Sequence, residues 1–336
     1  MKNSLLSRVA ESMYWMARYI ERAENVARYV DVNLQLMLDL AGNANEQWQP
    51  LIQIGADDTR FHSMYGPTAN KENVLQFLTF DTENPNSILS CLRQAREGAR
   101  SIRESISSEM YEQINRLYLM VKAASSDRTV MESPADFFQE VRMGGHLFEG
   151  ITEATMTHGE GWHFCRLGRM IERADKTTRL LDVKYFILLP SVAYVGSTFD
   201  ELQWVALLKS ASGFEMYRRI YGRISPDSVV AFLLLDRDFP RSVHYCIAGA
   251  QQSLHAVSGT PLGTFRSPAE QQLGMLRSEL DYSDNQRIIE AGLHEMLDLL
   301  QGKLNKIDDA IYTTFFALHP QQVQHQMSRS ASLSTF

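Results

Sequence analysis

The sequence predicts an all-α protein, a helical bundle built from two duplicated units related by a pseudo-twofold axis. Three observations lead there: apolar residues recur at helical spacing over long stretches, alternating β-branched runs are few, and blocks of the first half return in the second.

The opening helix carries Val9, Met13, Met16, Ile20, Ala23, Ala27 and Val30 on one face, with Glu11, Arg18, Glu21, Arg22 and Asn25 on the other. Asn84-Pro85 predicts a later helix start: a polar cap residue is followed by proline at the first helical position, where its missing N–H costs nothing. Ser87 to Leu119 runs on with no proline and one glycine, which predicts continuing helix. In the second half Phe164, Leu167, Ile171 and Ala174 point inward, and Arg166, Arg169, Glu172, Arg173 and Lys176 outward. The Gly259 to Pro268 segment reads as a loop where the first half continues as helix.

The duplication rests on three blocks. Residues 17–32 (ARYIERAENVARYVDV) and 168–183 (GRMIERADKTTRLLDV) are identical at eight of sixteen positions without a gap. Trp48, Leu51, Tyr65 and Gly66 return at the same spacing as Trp204, Leu207, Tyr221 and Gly222. Residues 74–91 align with 229–246, and the offset stays between 151 and 156 throughout. The chain thus divides into a first helical repeat (1–157), a second (158–320) and a polar tail (321–336) expected to be disordered, the repeats forming one compact domain.

Composition excludes several classes. With 33 Lys+Arg against 40 Asp+Glu the chain is mildly acidic, so no global field favours a nucleic-acid backbone. The longest apolar run, near Tyr185 to Val195, contains Pro190 and falls short of the roughly 20 residues that span a bilayer. The charged N-terminal stretch does not read as a signal peptide. Three cysteines without CxxC spacing suggest neither a disulfide framework nor a thiolate metal site, and fit a reducing compartment. The expectation is a cytoplasmic, soluble protein.

The segments YWMARYIERAENVAR and GWHFCRLGRMIERADKTTRLLDVKY, supported by NPNSI, AREGARSIRESIS and PRSV, resemble the alpha-E superfamily of bacterial all-helical proteins. The resemblance covers nearly the whole chain except the tail. It places the family's Glu-Arg dyads on Glu21-Arg22 and Glu172-Arg173, with the preceding arginines on Arg18 and Arg169. Ala17 stands where glycine is expected, as at Gly168. The resemblance implies gene-neighbourhood association with ATP-grasp amide ligases, transglutaminase-like proteases and a proteasome-related peptidase. It therefore implies a part in making or breaking amide bonds, with an ATP-grasp-type ligase or transglutaminase-like protein as partner.

Arg18, Glu21, Arg22 and Asn25 lie at i, i+3, i+4 and i+7, so they leave one helix face. A solvated face, a ligand or partner site, and a structural lock are all open. For the lock, the two helices meet across the pseudo-twofold axis, with Glu21 facing Arg173 and Glu172 facing Arg22. For an enzyme acting on a small amide or peptide, Glu21 or Glu172 is the general base, and Arg22 or Arg173 stabilises developing charge. A second stripe, Arg93, Arg96, Arg100 and Arg103, has the spacing for one helix seam. It is either an anion or acidic-partner site or an outer face interleaved with Glu97 and Glu104. His146, Glu149, Glu153, His158, Glu160 and His163 have residue types that ligate metals, but hydrogen-bonded polar residues are the ordinary outcome, and no metal or cofactor is assigned. Asp81 and Asp236 are expected to anchor turns, and Cys91 and Cys246 to be buried small residues. No phosphate loop, dinucleotide fingerprint or nucleophile elbow occurs.

Overall fold

A computed structural model describes residues 5–39, 48–55, 57–127, 129–186 and 197–317. The tail and most of the apolar run near Tyr185 lie outside the described residues. Those described are all-α, with no strand among them. The first half runs α1 (Ser7–Asp39), α2 (Gln49–Gly55), α3 (Asp58–Tyr65), α4 (Lys71–Thr79), α5 (Ile88–Ser101), α6 (Ser108–Ala124), α7 (Thr129–Glu132) and α8 (Ala135–Thr155). The second runs α9 (Glu160–Phe186), α10 (Thr198–Ser210), α11 (Phe214–Tyr221), α12 (Pro226–Leu235), α13 (Val243–Ser258), α14 (Pro268–Asp281), α15 (Asn285–Ala291) and α16 (Leu293–Ile311). The same series of long and short helices is thus traversed twice.

The packing repeats as well. In the first half α1 packs on α5 and α8, with α6 against both; in the second α9 packs on α13 and α16, with α14 against both. The two long helices α1 and α9 are each other's neighbours, α2 reaches across to α9, and α10 to α1. Contacts from Leu5 with Glu160 to Arg22 with Glu172 keep α1 and α9 parallel and in register. One continuous hydrophobic core therefore runs through both halves. Among the described residues no helix is long and apolar enough to cross a membrane.

Three local expectations are corrected. α5 begins at Ile88, because Ser87 and not Asn84 caps it: the Ser87 hydroxyl accepts from the Ser90 N–H. Asn84 instead folds its own turn, accepting from the Asn86 N–H and donating to the Phe77 carbonyl. Nor is 87–119 one helix. α5 stops at Ser101, a 3-10 turn covers Arg103–Ser105, and Ser107 caps α6 by accepting from the Met110 N–H. Such local serine bonds compete with helix continuation, which the absence of proline conceals. Finally, the polar faces of α1 and α9 are not solvated: Glu21, Asn25, Glu172 and Arg173 are buried, because the two helices turn those faces toward each other.

Candidate functional site: a crossed pair of Glu-Arg dyads

The centre of the molecule is charged. α1 has no proline or glycine over Ser7–Asp39, so its 3.6-residue period holds long enough to set Arg18, Glu21, Arg22, Asn25 and Arg28 along one side. α9 does the same with Glu172, Arg173 and Lys176, and its Gly168 lets the two backbones approach.

The dyads cross. Arg173 donates through Nε and Nη2 to the two oxygens of Glu21, at 2.9 and 2.8 Å. Arg22 donates through Nε and Nη2 to the two oxygens of Glu172, at 2.7 and 2.9 Å. Both are forked guanidinium-carboxylate pairs, the geometry in which arginine binds a carboxylate most strongly. Arg18 adds a bond from Nε to Glu172 at 3.0 Å and one from Nη1 to Asp308 at 2.6 Å. Arg169, its counterpart, turns away from Glu21 to Glu149 at 3.3 Å, and its buried Nε has no hydrogen-bond partner.

The electrostatics follow from this packing. Burial pushes the Glu21 carboxyl up, but Arg173 and then Arg241 outweigh it and hold the group well below the usual carboxylate range. Glu172 is likewise raised by burial, then lowered further by Arg22, Lys176 and Arg18. Both carboxylates stay ionised in the folded chain, each held by two arginines, Glu21 by Arg173 and Arg241 and Glu172 by Arg22 and Arg18. Removing one member of such a pair strands a buried charge, at a cost of roughly 3 to 5 kcal/mol.

Several members were not foreseen. Arg241 donates from Nη1 to Glu21 at 2.8 Å and from Nη2 to Glu24 at 3.0 Å. Arg28, nearly inaccessible, pairs with Glu24 one turn back. His146 brings Nε2 to 2.9 Å from the same carboxylate. Burial, then Arg28 and Arg241, keep this imidazole below its ordinary pKa. One sequence signal did point to Arg241. It follows Pro240 as Asn86 follows Pro85, and the Asn86 Oδ1 accepts from Arg22 Nη1 at 2.7 Å. The two matched positions thus stand beside the two matched pairs.

The remaining candidates fall elsewhere. Arg93 and Arg100 are exposed on α5, Arg96 is half-buried with its Nε on Asn115, and Arg103 lies on the 3-10 turn over the Tyr111 ring. Arg96 and Arg100 both contact Glu97, and the fourth member leaves the seam where the helix breaks. The acidic residues between the repeats are engaged elsewhere. Glu149 is spent on Arg169 and Arg173, Glu153 on Trp162 and His158, and Glu160 on the Leu5 N–H. Among the described residues no group of three or more His, Cys, Asp or Glu side chains is placed to hold a metal. Asp81 accepts from the Glu83 N–H and the Tyr65 hydroxyl, and Asp236 from the N–H groups of Asp238 and Phe239, as turn anchors do. Cys91 and Cys246 are buried beside the carbonyls of Pro85 and Pro240.

Open space at the dyads is scant. A cavity of about 20 Å³ is lined by Glu21, Glu24, His146, Glu149 and Arg169, and another of about 20 Å³ by Arg22, Asp57, Asn86 and Lys176. Each has room for about one water molecule.

Over residues 5–316 the chain matches Alpha-E, described as a predicted alpha-helical domain with a conserved ER motif. The chain belongs to the Alpha-E family. The ER pairs of this Alpha-E chain are the two dyads that cross at its centre. Its relatives include uncharacterised proteins of Mycobacterium bovis and Mycobacterium tuberculosis, each 24% identical over 335 residues. The alignment covers 93% of this chain but only 37% of each relative, so the chain spans well under half the length of the proteins it matches. No solved structure matches the chain significantly.

Proposed function

We propose that this Alpha-E chain is a helical accessory protein of an amide-bond-forming or peptide-processing system, acting through its surface on an ATP-grasp-type ligase or a transglutaminase-like or proteasome-related component. The observation that carries the reading is the consumption of the family's signature: both carboxylates of the ER motif are buried in forked arginine pairs. A motif spent on fixing two helices preserves a shape, and a preserved shape serves recognition. The length of the relatives supports the same reading, since in them a segment like this chain is joined to a larger remainder. The three buried, unpaired thiols support work in the cytoplasm.

A second reading, an enzyme using Glu21 as base, draws on one observation: Glu21 lines a cavity with His146 and Arg169. The test measures amide-bond formation or hydrolysis by a candidate partner with and without this chain, beside the chain alone. A rate that rises only with both proteins supports the accessory role. An unchanged rate refutes it, and turnover by the chain alone that is lost in Glu21→Gln establishes the enzyme.

A further inference from the structure

One cavity of ligand size lies away from the dyads. α10, α11 and the turn into α12 enclose a cleft of about 810 Å³, within the roughly 300 to 1,000 Å³ usual for ligand sites. Its lining combines four chemistries. Val205, Phe214, Ile224 and Pro226 supply apolar wall, and Arg218 and Arg223 are exposed guanidinium groups. Trp204 is 5% exposed, and its indole N–H is buried without an acceptor. Glu201 is an exposed carboxylate, whereas the charge of Asp200 is met by Lys184 at 2.8 Å.

Trp204 adds an aromatic ring to the lining, with its indole N–H out of solvent reach. Lys184 lies over the Trp204 ring at 4.8 Å from its centroid, which helps fix the indole. Arg218 sits over Phe214 at 5.6 Å from the ring centroid, placing a cation beside an apolar surface. The required ligand has an anionic end, an apolar side group next to it, and an amide N–H.

We propose that this cleft binds the free C-terminal end of a peptide. The carboxylate lies with Arg218 and Arg223, the last side chain against Phe214 and Ile224, and a backbone N–H toward Glu201. The assignment depends on neither the helix lock nor the identity of any partner protein.

The probe is N-acetyl-leucyl-phenylalanine, titrated by calorimetry into the full chain as the free acid and as its C-terminal amide. The acid is expected to bind at least about tenfold more tightly than the amide, the loss expected for hydrogen bonds to a charged group. Arg218→Gln/Arg223→Gln abolishes that preference with an unchanged melting temperature, since both side chains are exposed. Equal binding of acid and amide, no binding by the acid at millimolar concentration, or an undiminished preference in the double variant overturns the proposal. Displacement of the acid by an equal concentration of inorganic phosphate also overturns it, reassigning the cleft to bare anions.

Discussion

Gly168 lets α9 pass against the backbone of α1 at Tyr14, where a Cβ would overlap the Tyr14 carbonyl oxygen. The obstacle is main chain, so it cannot rotate aside. Gly168→Ala gains helix propensity yet is expected to lose about 1 to 3 kcal/mol net, because the central helices must move apart. Urea unfolding followed by circular dichroism measures it; a stabilised variant would show that the close approach is absent.

The crossed pairs predict strong coupling. Glu21→Gln and Arg173→Met are each expected to cost roughly 3 to 5 kcal/mol, because each strands the other partner, while the double variant costs far less than the sum. Glu172→Gln with Arg22→Met should behave alike. Strict additivity would show that the pairs do not interact.

Arg241 and the α5 stripe predict opposite outcomes. Arg241→Met leaves Glu21 and Glu24 short of a buried guanidinium and is expected to cost about 3 kcal/mol or more. Arg93→Ala and Arg100→Ala, both exposed, are expected to stay within about 0.5 kcal/mol of the parent. Thermal melts of all three decide whether burial or mere abundance of arginine matters.

Acid should unlock the centre. Glu21 and Glu172 titrate below an ordinary carboxyl in the folded chain and near about 4.3 when unfolded. Their stabilisation is therefore complete above that value and is lost as the pH falls toward their folded-state values. A melting-temperature series should fall steeply below about pH 4.5, and less steeply in Glu21→Gln/Glu172→Gln. An identical slope in both would place the acid sensitivity elsewhere.

Burial pushes the Cys91, Cys165 and Cys246 thiols up to about 12, so the nucleophilic thiolate is scarce at neutral pH. Ellman's reagent is expected to label none of the three in the native chain and all of them in guanidinium. Rapid native labelling would mean that the core opens readily.

Much of the centre was legible because two ER pairs on two long helices that face each other can satisfy each other by crossing. Arg28 and Glu24 were harder to foresee, since an i,i+4 pair looks the same in sequence whether buried or solvated. Arg241 joins from 220 positions away along the chain, and only its place after Pro240 marks it. The helix break before Ser107 hid for another reason. Serine is tolerated inside a helix and favoured at its start, so composition does not separate the two. The cleft at Trp204 could not be read in advance, because α10, α11 and the turn into α12 line it together and no local pattern records their spacing.

Asn86 and Arg241 show what a single chain permits. When two identical subunits meet on an axis, every substitution appears twice, and a change that suits one side is imposed on the other. Here the matched positions belong to one polypeptide, so one side carries a guanidinium that braces Glu21 and Glu24 while the other carries a short amide beside Arg22. A single chain lets the two sides of its centre differ.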